Sequence, residues 1–328
     1  MSPTAIPQIR LAAEHDATFH CMGCTFRLLV GGADATAAAA TVRAQLEDFD
    51  ARLSRFRPDS ELSRLNADPR SVVPASPLLR ATVRAALWAA QQTGGLVDPT
   101  LVGALERAGY ARSLMGATAE PVAAALHSAP SRRPARPRPQ APWRAVAIDD
   151  DAGAIVRPPG LRLDSGGVGK GLAADLAAQW LARDGRRHRF AVDAAGDLRL
   201  GGTRTAARPY TIEIAHPWEP QPIAALCLRG GAIATSGIGS RLWRTTGPAP
   251  ARFAHHLLDP SSGEPAWTGI VAATALAPSA LEAEVRAKAA LLSGPLGARR
   301  WLAAYGGLLV LDDGATEWVG AATALRAA

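Results

Sequence analysis

Cysteine is scarce in this chain of 328 residues: Cys21, Cys24 and Cys227 are all there is, too few for a disulfide framework. Cys21-Met-Gly-Cys24 has the C-x-x-C spacing of a redox or zinc pair, but no second pair or histidine cluster accompanies it, so the spacing reads as coincidence. Long apolar runs are missing too, and Met1 to His20 has no basic start followed by an apolar core of secretory length. These absences point away from a membrane partner and predict a soluble, cytoplasmic protein.

Acidic residues are outnumbered, 29 against 36 lysines and arginines, which gives a net charge of +7. Four arginines, Arg132, Arg133, Arg136 and Arg138, fall within residues 131–140, where they alternate with proline; without them the balance is an ordinary +3. Residues 129–142 therefore read as an exposed Pro/Arg-rich loop or insertion in a single domain spanning 1–328. No aromatic residues interleave with these arginines, so nucleic acid is not a predicted partner. With 48% of its residues hydrophobic, the chain can bury a large core.

Hydrophobic periodicity alternates between strand and helix. Residues 25–30 are apolar and end at Gly31-Gly32, as a strand does. Residues 35–53 and 76–93 have apolar side chains at helical spacing, and another helix begins after Gly169, running to about Asp184-Gly185. Short strands are predicted at 190–192, 212–214 and 226–228, and a longer hydrophobic one after Pro265. Helices at 280–292 and 297–305 follow, then strands at 307–311 and near Trp318. The pattern predicts an α+β fold, with mixed sheets and helices in two lobes around a cleft.

Two segments carry chemistry. Gly166-Gly-Val-Gly-Lys170-Gly171 fails as a P-loop, because Asp164 stands where the first glycine belongs and Gly171 where a Ser or Thr must hold magnesium. A glycine bend entering a helix still exposes amides at the positive end of the dipole, with a lysine beside them, which suits a pyrophosphate. Further on, His256 leads into a turn shaped by Asp259, Pro260 and Gly263, and Glu284 and Lys288 share a helix face four residues apart. An imidazole of near-neutral pKa is the candidate general base, while the Glu-Lys pair has a plain alternative as a surface ion pair.

Seven pieces, in order from near the start to Gly294, resemble the ApbE-type FAD:protein FMN transferases. They are Met22-Gly-Cys-Thr-Phe, Leu53-Ser-Arg-Phe-Arg-Pro-Asp-Ser-Glu-Leu-Ser-Arg-Leu-Asn66, Gly95-Leu-Val-Asp-Pro-Thr100, Leu163-Asp-Ser-Gly-Gly-Val-Gly-Lys-Gly-Leu-Ala-Ala-Asp175, Val192-Asp-Ala-Ala-Gly-Asp197, Ala234-Thr-Ser-Gly237 and the His256 segment. The resemblance implies a flavin-binding cleft with FAD as substrate. It assigns FAD contacts to Met22 at a strand start, Phe56 against the flavin where the family commonly has tyrosine, Leu96, Val97 and Asp98, Asp164, Lys170, Thr235 and Leu258. It also implies magnesium (Mg2+) held by Glu284, where the family has aspartate, and by the backbone carbonyl of Gly167. The family's third metal position, a threonine, is Lys288 here. An ammonium repels a metal rather than coordinating it, so Lys288 is expected to neutralise the pyrophosphate directly in a metal-weakened or metal-free site.

The implied activity is transfer of FMN from FAD to a Ser or Thr hydroxyl of an acceptor flavoprotein carrying a flavinylation motif, with release of AMP. Asp313-Gly-Ala-Thr316 lacks the small residues that should follow such a motif, so a separate acceptor is expected. FAD pyrophosphatase activity and non-catalytic FAD binding are the alternatives from the same cleft.

Overall fold

The computed structural model describes residues 14–114, 116–183, 189–202, 209–245 and 250–320. In chain order, the hairpin of β1 (His15–Cys21) and β2 (Cys24–Val30) leads to α1 (Ala35–Leu53), α2 (Glu61–Ala67), β3 (Val72–Pro74), α3 (Pro77–Gln92), α4 (Val102–Arg107) and α5 (Val122–His127). Then come β4 (Ala147–Asp149), β5 (Ala154–Val156), α6 (Gly169–Ala182), β6 (Phe190–Ala194), β7 (Asp197–Gly201), β8 (Tyr210–Ile214), β9 (Ala224–Leu228) and β10 (Gly231–Gly237). The last third holds β11 (Leu242–Arg244), β12 (Phe253–His255), β13 (Ile270–Ala277), α7 (Ala280–Leu292), α8 (Gly294–Leu302), β14 (Gly307–Leu311) and β15 (Thr316–Val319). The α+β architecture is as expected. The predicted stop of α6 at Asp184-Gly185, and residues 1–13 of the N-terminal stretch, lie outside the described residues.

One antiparallel sheet of eight strands, in the order β1-β2-β6-β7-β10-β13-β14-β15, carries the molecule. Helices α1 and α6 cover one half of one face through the interior of Phe26, Leu28, Leu46, Phe49 and Val192, and α7 and α8 cover the other half around Val271, Ala273, Leu291 and Leu302. The β8–β9 hairpin lies on the opposite face, with Tyr210, Ile212 and Leu226 packed on Leu198, Ile233 and Leu308. Covered on both sides, β13 is buried at all eight positions, which is why it reads as an unbroken apolar run rather than an alternating one.

The helical layer is joined at the seam between α6 and α7. Ser279 caps α7 by accepting the Glu282 N–H at 3.2 Å, and Asp175 of α6 accepts the Ala280 and Leu281 N–H groups, each at 2.9 Å. Three donors that a helix start would leave without partners are thus satisfied, two of them from the neighbouring helix. The helices approach so closely that a Cβ at Gly171 would stand 2.6 Å from the Ala280 carbonyl oxygen, so only glycine fits.

Two positions differ from the sequence expectation. The final helix runs from Gly294 to Leu302 rather than over 297–305, because Pro295 occupies its first turn, where a missing N–H costs nothing. Met22, expected at a strand start, sits in the two-residue β1–β2 turn with φ of 53°, followed by Gly23 at 69°. Such a turn needs positive φ at both central residues to match the strand twist. Residues 129–142 run across the surface with their backbone tied down: Arg133 N–H bonds the Trp267 carbonyl at 3.0 Å, and Ala135 N–H bonds that of Leu292 at 2.8 Å. Among the described residues, no helix is long and apolar enough to cross a membrane.

Replacing Gly171 by alanine is expected to lower the thermal unfolding midpoint through a loss of about 1–3 kcal/mol, as α6 and α7 are forced apart. An unchanged midpoint in calorimetry would show that the seam has slack.

Candidate active site

Strand register brings the motifs to one end of the main sheet. Phe26 faces Ala194, Ala194 faces Asp197 across the β6–β7 turn, and Ile233 of β10 faces Leu198. The turn at Met22-Gly23, the turn at Ala195-Gly196 and the end of β10 at Thr235-Ser236-Gly237 are therefore neighbours. Ala195, at φ 56°, and Gly196 repeat the geometry of the first turn. Asp193 steadies this second turn by accepting the Gly196 N–H at 2.7 Å, and burial raises its carboxyl to about 6.

The glycine-rich segment folds back on itself before entering α6. The Val168 and Gly169 N–H groups both bond the Ser165 carbonyl, at 3.0 and 2.7 Å, and the Gly166 N–H bonds Asp164 Oδ1 at 3.2 Å. Met22 packs over this bend, its Cε 3.0 Å from where a Cβ on Gly169 would stand, and Val97 Cγ1 lies 3.2 Å from the corresponding position on Gly167. At the helix start, Lys170 Nζ stands 2.8 Å from Asp197 Oδ2. Burial opposes the lysine's charge, but the Asp197 and Glu284 carboxylates outweigh it and hold the ammonium above its ordinary range.

The Glu284–Lys288 pair of α7 is no surface ion pair. Its side chains are 1% and 9% exposed, with Nζ 2.7 Å from Oε1, while Oε2 accepts the Gly171 N–H at 2.8 Å. Burial raises the Glu284 carboxyl, against the opposing Lys288 ammonium and with Asp197 adding to the rise. His256, just past β12, is partly buried, and its Nδ1 has no partner among the described residues. Burial, then His255, Lys288, Arg241 and Lys170, hold it well below the usual imidazole pKa, so it stands neutral among three cations. Its neighbour His255 is fully buried edge-on to Trp267, with ring centroids 4.9 Å apart, and burial pushes it down to about 3.

A wall of rings borders this cluster. Phe56 and Tyr110 have centroids 5.3 Å apart, and Tyr110 and Trp243 lie 5.4 Å apart. The Arg55 guanidinium carbon sits 4.1 Å from the Phe56 centroid and 4.6 Å from that of Tyr110, and Arg55 Nε is 3.5 Å from Asp164 Oδ1. Arg55 thus links Phe56 to Asp164.

Other expected contacts have different surroundings. Asp98, expected to serve the nucleotide through its carboxylate, is 1% exposed in its side chain and spends both oxygens internally. Oδ1 accepts the Thr100 N–H at 2.8 Å, and Oδ2 accepts Arg138 at 2.9 Å. The side chains of Leu96 and Leu258 are buried in separate apolar clusters, which leaves only their backbone groups to face a ligand. Thr235 Oγ1 is 2.8 Å from Thr274 Oγ1 on the neighbouring strand. Asp259 shapes its turn by accepting from the N–H groups of Ser261 and Arg136, both at 3.0 Å. Cys21 and Cys24 flank the first turn as free thiols that burial pushes to about 12 and about 11, out of the reactive range.

These residues do not fit a magnesium ion. Such an ion needs a near-octahedral set of oxygens, yet both oxygens of Glu284 are taken by an ammonium and an amide. No group of three or more His, Cys, Asp or Glu stands ready for a metal among the described residues.

Residues 22–311 match the ApbE family. The chain belongs to it. Among relatives, it is 28% identical to the FAD:protein FMN transferase of Salmonella typhimurium over 80% of this chain and 74% of that one. It is 29% identical to that of Klebsiella pneumoniae over 84% and 77%. The fold matches the ApbE protein of Thermotoga maritima with a TM-score of 0.78 at 23% identity, covering 96% of this chain and all of that one. It also matches flavin transferase ApbE of Vibrio cholerae with a TM-score of 0.70 at 21% identity over 96% and 100%.

Sequence reasoning did not select Arg241, Tyr110, Trp243 or Arg55 for this family site. Arg55 lies inside a motif read for Phe56, the other three lie outside every motif, and only tertiary packing gathers them. Arg138 lies in the Pro/Arg stretch and holds a buried carboxylate, so Arg138→Ala is expected to cost about 1–3 kcal/mol in urea unfolding; a cost near zero would mean that Asp98 is satisfied without it.

Proposed function

We propose that this chain transfers FMN from FAD to a Ser or Thr hydroxyl of a separate acceptor protein and releases AMP. One observation carries the reading: a neutral imidazole, His256, stands among Lys170, Lys288 and Arg241 beside a glycine-rich helix start. A pyrophosphate is the anion such a site suits, and a neutral imidazole beside it is the form that can accept a proton. The relatives from Salmonella typhimurium and Klebsiella pneumoniae are FAD:protein FMN transferases, which supports the same activity.

The acceptor hydroxyl oxygen forms a bond to the FMN-side phosphorus, and the bond from that phosphorus to the bridging oxygen of AMP breaks. AMP leaves with the bonding pair, and the hydroxyl proton passes to His256. Chemistry of this kind asks for positioning and charge neutralisation. Lys170 supplies these on one side and Lys288 on another, while Phe56, Tyr110 and Trp243 offer faces on which an isoalloxazine can stack. Magnesium, which the family resemblance implies, has no step in this scheme.

His256→Ala is expected to lower single-turnover transfer by about 10²–10⁴-fold with FAD binding retained; full activity would remove the histidine from the mechanism. The pH dependence carries a sign. Protonation silences the base, and because its pKa lies well below 6.5, the acid limb of kcat/KM, which reports the free enzyme, is expected well below pH 6.5. A limb at or above 6.5 would contradict the assignment.

A further inference from the structure

Three cations meet at His256, and each is fixed by a different part of the fold. Asp197 at the start of β7 holds Lys170, and Glu284, one turn earlier on α7, holds Lys288. Arg241 follows the end of β10, and its guanidinium donates to the Gly23 carbonyl at 2.7 Å and to the Ser240 carbonyl at 2.9 Å. Both partners are neutral; among the described residues no carboxylate pairs with Arg241. A partly buried guanidinium bonded only to carbonyls keeps a charge that an incoming anion can pair with.

A metal cannot simply join this arrangement. To bind Glu284 it would have to expel Lys288, leaving a 9% exposed ammonium without its carboxylate, a change that is strongly unfavourable in a buried pair. The ammonium is already where the family resemblance puts a metal ligand, on the same helix face as Glu284 and one turn further along.

We propose that this protein needs no divalent ion, because Lys170, Lys288 and Arg241 together hold and neutralise the diphosphate of FAD. The inference rests on FAD as the ligand, the reading given above. Fixed side-chain cations require no ion to be recruited, and the Arg241 fork can engage phosphate oxygens in pairs. Burial first, with His255 and then these cations adding to it, keeps the neighbouring His256 imidazole neutral.

Calorimetric titration of FAD into the full chain, once in excess EDTA and once in millimolar magnesium, tests this. The expected dissociation constants agree within about twofold, and Mn2+ added to the ligand-free protein shows no stoichiometric binding by electron paramagnetic resonance. Arg241→Gln is expected to weaken FAD by about tenfold or more in both buffers, the size of one charge-assisted contact. Lys288→Thr is expected to weaken it in EDTA and to regain affinity with magnesium. FAD binding by the unmodified chain only when magnesium is present would overturn the inference while leaving FAD as the ligand, and this result does not depend on how either variant folds. No FAD binding in either buffer would overturn the functional reading itself, and the inference with it.

Discussion

The carboxylate of Glu284, shut between α6 and α7, takes the Gly171 amide on one oxygen and the Lys288 ammonium on the other, and the position of the cleft's charges follows from it. A buried pair of this kind adds little net stability, since desolvation offsets the attraction. Its consequence is placement. The bond to Gly171 fixes the first turn of α6 and hence Lys170, the next residue back, while the bond to Lys288 fixes the second ammonium. Glycine at 171 is the condition for both, because any side chain there would meet the Ala280 carbonyl.

Around this seam the sheet does the rest. Two hairpin turns and the end of β10 fall at one end of the sheet because the strands are antiparallel and in register, so residues from three separate motifs converge without a long loop. Burial makes the electrostatics steep. Lys170 stays charged because two carboxylates outweigh its desolvation, whereas His256 stays neutral because burial first, and then His255 and the cations around it, disfavour its charged form. One site therefore holds permanent positive charge for an anion and a neutral base at the same time.

Much of this was legible beforehand, for identifiable reasons. Helices α1, α3, α6 and α7 declare themselves through apolar spacing, α3 and α7 also start at capping serines, and the glycine bend before Lys170 announces a helix start whatever its ligand. The pairing of Glu284 with Lys288 followed from four-residue spacing, but its burial did not, since spacing says nothing about what packs above a helix face. Met22 was misplaced because a non-glycine residue at positive φ leaves little trace in a sequence. Asp98 looked open to a ligand because its partner Arg138 is forty positions away, in a stretch whose proline and charge suggest exposure. Arg241 had no motif of its own, and its place beside Gly23 depends on β1, β2 and β10 sharing one sheet.

The most direct test is to incubate the chain with FAD and a protein bearing a flavinylation-motif Ser or Thr, then follow the acceptor's intact mass and the released nucleotide. The acceptor is expected to gain one FMN as AMP appears in equal amount. Free FMN and AMP with the acceptor unchanged would contradict it and make water the nucleophile; intact FAD throughout would contradict it as well and leave a binding site without chemistry.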